Sequence, residues 1–325
     1  MRGVRVIVLG AGGVGGVIGG RLHEHGHHAV LVARGAQYDA IHDHGLRLED
    51  PDETVQLQVP VVRTPAEVHF DPTDVVVIAT KTQDAGAALN DLAAMAPEGI
   101  TVACATNGVE TERLALRLFP HVLGINVMMP TAFLEPGVVQ IISAPIGGSL
   151  DVGQYPTGSG AVAEELAAML AHSQFLSVAR PDIMRYKYRK LILNTGNAVE
   201  AACGRTSPAA KELTVRAAGE AESVFAAAGV DVATAEEDAA QRESMRYRAV
   251  NGKHRGGGST WQSLVTGRSI ETDYLNGEVV LIARSSGQTA PVNEALQRVM
   301  HELVRTGKQP GTIDAATLLA SLSTH

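Results

Sequence analysis

The sequence predicts an α/β fold in which an N-terminal domain built on a parallel sheet is followed by an all-α domain. Three observations predict it. From residue 4 to about 150, short Val/Ile-rich runs alternate with helical segments, the pattern of strands buried on both faces by crossover helices. A glycine-rich turn, "GAGGVG", lies between the first such run and the first helix. Beyond Pro181 the strand-like runs stop and helix follows helix. At roughly 100 to 200 residues per domain, a chain of 325 residues suits two domains, placed at 1–180 and 181–325.

The elements follow in order. "VRVIVLG", "HAVLVA", "DVVVIAT", "ITVACA" and "HVLGINV" are the expected strands. "GGVIGGRLHEHG" reads as a crossover helix ending at Gly26, and "DAGAALNDLAAMA" as a helix stopped by Pro97. "SLDVGQYPTGSG" reads as a Gly-rich stretch before an amphipathic helix from Ala161 to about His172. In the second half, Ser207 before Pro208 is an N-cap opening a helix that runs to Gly229. Thr234 before "AEEDAAQ" opens another, and Pro291 starts a third that ends near Gly307. "GKHRGGGS", residues 252–259, reads as a plain loop, with a loop that closes over a substrate as the alternative.

Composition excludes several functions. Hydrophobic residues are 45% and charged residues 19%, and no apolar run reaches the roughly 18 residues that span a bilayer. The basic, apolar N-terminus breaks into glycines, so it reads as a first strand and not as a secretion signal. A net charge of -8, with scattered Lys and Arg, offers nothing to nucleic acid. Cys104 and Cys203 are the only cysteines and form no CxxC pair, so neither a disulfide framework nor a structural zinc site is expected. A reducing, cytoplasmic setting fits. His27 and His28 beside Gly26 read as a turn, and no metal ligand set is expected.

Gly10-x-Gly12-x-x-Gly15, after a strand and before a helix, has the context a dinucleotide site requires. One glycine serves the tight turn, one the approach of backbone to pyrophosphate, and one the packing of helix on sheet. The whole stretch Gly10, Ala11, Gly12, Gly13, Val14 and Gly15 is expected to bind cofactor, with the phosphates at the helix N-terminus. The domain is therefore of Rossmann type. The second strand ends at Arg34, where an NAD-preferring protein carries an acid for the ribose 2′-hydroxyl. A guanidinium cannot accept that hydrogen bond but pairs with a 2′-phosphate, which points to NADP(H).

Further along, "LVAR", Gly45-Leu46, "TKTQD" at 80–84, "TNGV" at 106–109, Pro136-Gly137, "RKLILN" at 189–194, "RSIETDYLNG" at 268–277 and "TAPVN" at 289–293 stand in one order. Together they resemble the ketopantoate reductase (2-dehydropantoate 2-reductase) family over nearly the whole chain. The resemblance implies a Rossmann domain, a helical domain, an active site in the cleft between them, and hydride transfer from NADPH to a small 2-oxo acid. The default reaction is 2-dehydropantoate to pantoate, in pantothenate and coenzyme A synthesis. It further implies Lys190 as catalytic proton donor, Asn194 as substrate ligand and Glu271 as active-site glutamate. Lys81 and Asn107 would line the nicotinamide and substrate end, and Ser263 would help hold the substrate carboxylate.

The chemistry needs these residue types. As hydride reaches a carbonyl carbon, the oxygen becomes alkoxide-like and requires charge stabilisation and a proton. A lysine ammonium supplies both, a carboxylate such as Glu271 holds that lysine charged, and an asparagine fixes the substrate. Lys81 is a candidate second cation for the substrate carboxylate. On the residues alone, Lys187 and Lys190 are equal candidates, because both lie on one face of the same helix. Only the family motif separates them.

Two departures from the family pattern bear on substrate. The family's second asparagine falls at Ala198, with Asn197 one place earlier as a candidate substrate ligand. The segment from Ser263 to Glu271 is shorter than the family's, and Gly267 stands near the place of its aspartate. Another 2-oxo acid, carbonyl or imine is the alternative substrate class. A non-catalytic NADP(H)-binding redox sensor is the competing function, and the joint retention of Lys190, Asn194 and Glu271 argues against it. The apolar helices of the second half leave room for a homodimer.

Overall fold

The structure, a computed structural model, describes residues 4–322. The outermost residues of both expected domains lie outside that range. Among the described residues the strands are β1 (Val6–Leu9), β2 (Ala29–Val32), β3 (Leu46–Glu49), β4 (Thr54–Leu57), β5 (Val61–Val62), β6 (Val75–Ile78), β7 (Thr101–Cys104), β8 (His121–Met128), β9 (Thr131–Ala132), β10 (Val138–Ile141), β11 (Gly148–Gln154) and β12 (Phe175–Leu176). The helices are α1 (Gly13–Glu24), α2 (Gly35–His44), α3 (Thr82–Ala93), α4 (Glu110–Leu116), α5 (Ala161–His172), α6 (Ile183–Asn194), α7 (Gly196–Cys203), α8 (Pro208–Ala227), α9 (Ala235–Arg242), α10 (Ser259–Val265), α11 (Asn276–Ser285), α12 (Pro291–Thr306) and α13 (Ala315–Ser321).

The chain divides into two compact units. One holds the residues up to Lys187 together with Thr234–Arg255; the other holds Tyr188–Ala233 and the chain from Gly256 onward. The contact division differs from the expected one at residue 180, and the change of unit at Lys187 falls inside α6. Thr234–Arg255 joins the first unit through bonds made far along the chain. Arg248 N donates to Ile142 O at 3.1 Å, Ala144 N to Arg246 O at 3.3 Å, and Asn126 Nδ2 to Gln241 Oε1 at 3.4 Å.

The first unit is built on an eight-stranded sheet in the order β12-β11-β8-β7-β6-β1-β2-β5. From β8 to β5 every neighbouring pair is parallel, and β11 runs antiparallel to β8. Alternation along β1 divides the core into two faces, as a strand's two-residue period requires. Val6 and Val8 pack with Val17, Ile18 and Leu22 of α1 and Leu166 and Leu170 of α5. Ile7 and Leu9 pack on the other side with Leu89 and Leu92 of α3 and Ala115 of α4. The "SLDVGQY" stretch, expected only as a Gly-rich segment, contains most of β11. Its residues are buried as far as Gly153, on both faces, so they show no strand-like alternation of polarity.

A second sheet, in the order β4-β3-β10-β9, lies on α1. Its presence explains the unusual helix sequence "GGVIGG". A Cβ at Gly19 would lie 2.4 Å from Leu31 Cδ2 of the large sheet, and one at Gly20 would lie 3.0 Å from Leu46 Cδ2 of the small one. Glycine in a helix costs about 1 kcal/mol relative to alanine, which the close approach to two sheets offsets. The same helix carries Arg21, 2% exposed, which pairs with Asp50 beyond β3 and with Glu24 Oε2 at 2.6 Å. Asp50 Oδ1 in turn accepts the N–H groups of Asp52 and Glu53, so it closes the β3–β4 turn and anchors it to α1.

The second unit is helical among its described residues, and its starts match the sequence signals. The Ser207 side chain accepts from Ala210 N, with Pro208 in the first turn of α8, and α12 runs from Pro291 to a left-handed Gly307. In the first unit, Thr234 and Glu237 form a capping box at the start of α9. Buried polar groups join the helices of the second unit. Glu220 of α8 accepts the N–H groups of Val292 (2.9 Å) and Asn293 (2.8 Å), so a carboxylate caps α12 from a neighbouring helix. Asn293, fully buried, donates to Ala217 O at 3.0 Å and accepts from Asn276 Nδ2 at 2.9 Å.

Because breaking a buried ion pair strands the remaining charge, Arg21→Met is expected to lower stability by about 3 to 5 kcal/mol. Asp50→Asn in the same chain should restore part of the loss. Urea midpoints of the single and double variants check both statements.

Candidate active site

The candidate residues of the first unit follow the ends of its parallel strands. Gly10 follows β1, Arg34 lies two residues past β2, Lys81 three past β6 and Asn107 three past β7. The glycine turn shows a division of labour. Gly10 has φ +102, and a Cβ there would lie 2.9 Å from Ala79 O and Thr80 N; a Cβ at Gly15 would lie 2.0 Å from Gly10 O and 2.9 Å from Val8 Cγ1. Both are glycine because protein atoms require it. At Gly12 the nearest atom to a Cβ is Phe133 Cδ1, at an ordinary 3.7 Å. No protein atom demands glycine there, which fits a backbone that a ligand approaches.

Ala11, Gly12, Gly13 and Val14 enter α1 with no side-chain cap on Gly12 and no acid in the first turn. Such an N-terminus presents backbone N–H groups and a positive dipole end to an anion. The turn is held from outside by Gln37, whose Nε2 donates to Ala11 O at 2.6 Å and whose Oε1 accepts from Gly137 N at 2.7 Å. Gln37 carries no sequence signal, since a glutamine on a helix is an ordinary surface residue. Arg34 is 70% exposed, with Nη2 3.3 Å from Asp91 Oδ2. Arg63 directly follows β5, whose register with β2 sets Val62 beside Val32, and its guanidinium lies 4.0 Å from the Tyr38 ring centroid.

Lys81 is the residue before α3, and Thr82 Oγ1 of that helix donates to Asn107 O at 3.1 Å. The structure thus joins the turns that carry Lys81 and Asn107. It also separates the two lysines that the residues alone could not. Lys187 is 2% exposed, with its Nζ 2.5 Å from Glu112 Oε1 and donating to the carbonyls of Thr106 (3.1 Å), Ile125 (3.3 Å) and Cys104 (3.4 Å). Its ammonium is surrounded by that carboxylate and three backbone carbonyls, whereas Lys190 is only partly buried.

In the second unit, Lys190 and Asn194 lie four residues apart on α6, where one side chain stands above the other. The helix stops at Asn194, and α7 starts at Gly196 after Thr195, whose carbonyl accepts from the buried Asn276 Nδ2 at 3.1 Å. Across this break Asn197 Nδ2 reaches Asn194 Oδ1 at 3.4 Å, while Ala198 is buried in the helical core. Ser263 Oγ donates to Ser259 O at 2.9 Å within α10. Glu271 is not in the first turn of an α-helix; it precedes the short 3₁₀ turn Thr272–Tyr274 and accepts from Tyr274 N through its carbonyl at 2.9 Å. Asn276 and Asn293, which sit inside the quoted motifs "DYLNG" and "APVN", were given no role from sequence and emerge as the buried support of the α6–α7 break.

Residues 6–157 match the family Ketopantoate reductase PanE/ApbA, and residues 182–304 match Ketopantoate reductase PanE/ApbA C terminal. The chain belongs to the ketopantoate reductase family. A 2-dehydropantoate 2-reductase of Halobacterium salinarum is 28% identical over 95% of this chain and 100% of its own. One of Lactococcus lactis subsp. lactis is 26% identical over 92% and 97%. Among solved structures, the PanE/ApbA family ketopantoate reductase from Ralstonia eutropha has a TM-score of 0.77 at 26% identity, covering 94% of this chain and all of its own. The fold is also that of D-mandelate dehydrogenase, solved with NADH and anilino(oxo)acetate, with a TM-score of 0.78 at 22% identity over 94% and 99%. Family and relatives place this ketopantoate reductase-family protein among oxidoreductases acting on CH–OH. No helix among the described residues is long and apolar enough to cross a membrane.

The glycine turn yields a test that separates fold from binding. Gly15→Ala should lower the thermal midpoint, since its Cβ meets backbone. Gly12→Ala should leave the midpoint in place while weakening dinucleotide binding by about tenfold, or ~1.4 kcal/mol. Calorimetry of the two apoproteins and titration with NADPH and NADH measure both.

Proposed function

We propose that the protein reduces a small 2-oxo acid to the 2-hydroxy acid with NADPH, with 2-dehydropantoate as first substrate and Lys190 as proton donor. The observation that carries the reading is that a ketopantoate reductase-family chain keeps Lys190, Asn194 and Glu271 together with an uncapped, acid-free α1 N-terminus behind a tight glycine turn. The backbone of Gly10–Gly15 would hold the pyrophosphate, and Lys81 and Asn107 the nicotinamide end. The dihydronicotinamide, when bound, supplies the hydride.

The chain's own residues supply the rest. The Lys190 ammonium stabilises the carbonyl oxygen as negative charge grows there and gives it a proton. Glu271 keeps that lysine charged, since an opposite charge nearby favours the ionised form. Asn194 orients the substrate through its donor and acceptor, with Asn197 beside it. Lys81 offers a cation for the substrate carboxylate, and Ser263 contributes to the same group. Commitment of the Lys187 ammonium to Glu112 and three carbonyls supports the choice of Lys190, because a proton donor needs a path to substrate.

NADPH is favoured over NADH by Arg34, which stands after β2 where an acid would select the 2′-hydroxyl. Its guanidinium is exposed and matches a 2′-phosphate. Arg63, after the neighbouring strand, adds positive charge to the same end of the sheet.

Lys190→Ala should retain NADPH binding and lose about 100-fold or more in turnover with 2-dehydropantoate, the scale of general acid catalysis. Unchanged turnover in a panel of 2-oxo acids would remove Lys190 as proton donor. An absence of turnover by the wild type, with cofactor bound, would favour the redox-sensor reading. Arg34→Ala should reduce the NADPH-over-NADH preference about tenfold, measured by fluorescence titration, as loss of one charge-assisted contact implies. An equal preference in wild type and variant would defeat the assignment of Arg34.

A further inference from the structure

The Lys187–Glu112 pair is buried, charged and unused by the chemistry above. Glu112 is fully buried on α4 and Lys187 is 2% exposed on α6. Burial pushes the Glu112 carboxyl up, and the adjacent ammonium pulls it back. Buried ion pairs contribute little net stability, because desolvation offsets the attraction. The attraction between the two charges therefore does not by itself explain why this pair sits where it does.

Its hydrogen bonds indicate what it does. Beside the Glu112 carboxylate, the ammonium lies within hydrogen-bond distance of the carbonyls of Cys104, Thr106 and Ile125, which belong to the end of β7, the turn after it, and β8. The next carbonyl in that turn, Asn107 O, accepts from Thr82 Oγ1. Thr106 Oγ1 donates to Thr111 Oγ1 at 2.9 Å, tying the turn to the start of α4. The carbonyls of Thr106 and Asn107 are thus held by side chains of α6 and α3, and the Thr106 side chain by α4. Gly108 leaves the turn at φ +77, a conformation open to glycine.

We propose that Lys187 is a positioning residue that, with Glu112 as counter-charge, holds the Thr106–Asn107 turn so that Asn107 meets the nicotinamide end of the cofactor. This rests on the reading of Asn107 given above. It predicts a fault confined to one end of the cofactor. Loss of the ammonium should misplace Asn107 while leaving the glycine turn and the adenosine end intact.

The probes are whichever of NADPH and NADH binds more tightly, and the matching ADP-ribose fragment, which lacks nicotinamide. Lys187→Met should weaken the full cofactor by about 10- to 100-fold, the range that small misplacements produce, and change the fragment less than twofold. Lys187→Met with Glu112→Leu removes both charges, so it should recover the thermal midpoint and keep the binding defect. If the single variant does not fold, this double variant carries the comparison. Equal losses for cofactor and fragment, no loss for either, or full recovery of binding in the double variant would each overturn the proposal. Asn107→Ala separates the two levels. If it selectively weakens the full cofactor and the Lys187 variants do not, only the positioning role fails; if it has no effect, the reading of Asn107 fails and takes the proposal with it.

Discussion

The strand β1 is the constraint on which the first unit depends. Val6 to Leu9 are hydrogen-bonded on one edge to β2 and on the other to β6, and both of their faces are covered by helices. Neither edge nor face is left for chemistry, so function is restricted to the strand's end. The registers then align that end with its neighbours, for Leu9 stands beside Val32 and Ile78, and Ile78 beside Cys104. Gly10, Arg34, Lys81 and Asn107 emerge from the carboxyl ends of adjacent parallel strands, where ligands of open α/β sheets bind. Their convergence is a consequence of strand pairing, and needs no contact between them in sequence.

Buried charge in this unit serves backbone that the sheet does not satisfy. Arg21 and Asp50 lie under the β3–β4 turn, where Asp50 takes two turn N–H groups and Arg21 balances its charge. Lys187 does the converse at the end of β7, in the turn after it and within β8, meeting carbonyls while Glu112 balances it. Turns between buried elements carry donors and acceptors that water cannot reach, and leaving one unpaired costs about 1 to 3 kcal/mol. Long side chains from neighbouring helices fill that need.

Most of the architecture was legible because its signals are local. The five strands, the glycine turn, and the helix starts at Ser207, Thr234 and Pro291 rest on residues within a few positions of one another. What escaped is non-local. Most of β11 lies in "SLDVGQYPTGSG", whose glycines suggest a loop until β8 pairs with the strand. Thr234–Arg255 reads as part of the helical half by composition, but its hydrogen bonds run to Asn126, Ile142 and Ala144. The site shows the same limit. Gly10 to Gly15 could be read from spacing, while Gln37 and Glu112 act through partners that no spacing reveals. Lys187 and Lys190 were separated in sequence only by the family motif, and burial adds a physical difference between them.

The clearest consequence concerns Ala198, which stands where the family has a second asparagine. On one continuous helix, Asn197 would point about 100° away from that position and could not replace it. α6 and α7 meet at Thr195, whose dihedrals (φ -59, ψ -31) stay right-handed helical. Thr195 N donates to Leu191 O at 3.2 Å and its carbonyl is held by Asn276, so the backbone does not turn there. Asn197, three residues past Asn194 and so on the same helical face, reaches its side chain, whereas Ala198 faces a core of Val199, Leu213, Leu296 and Met300. An asparagine at 198 would have to bury its amide among apolar neighbours. The polar group beside Asn194 is Asn197, placed there by helical spacing, and under the proposed reading these two amides are the polar surface that the helix offers to substrate.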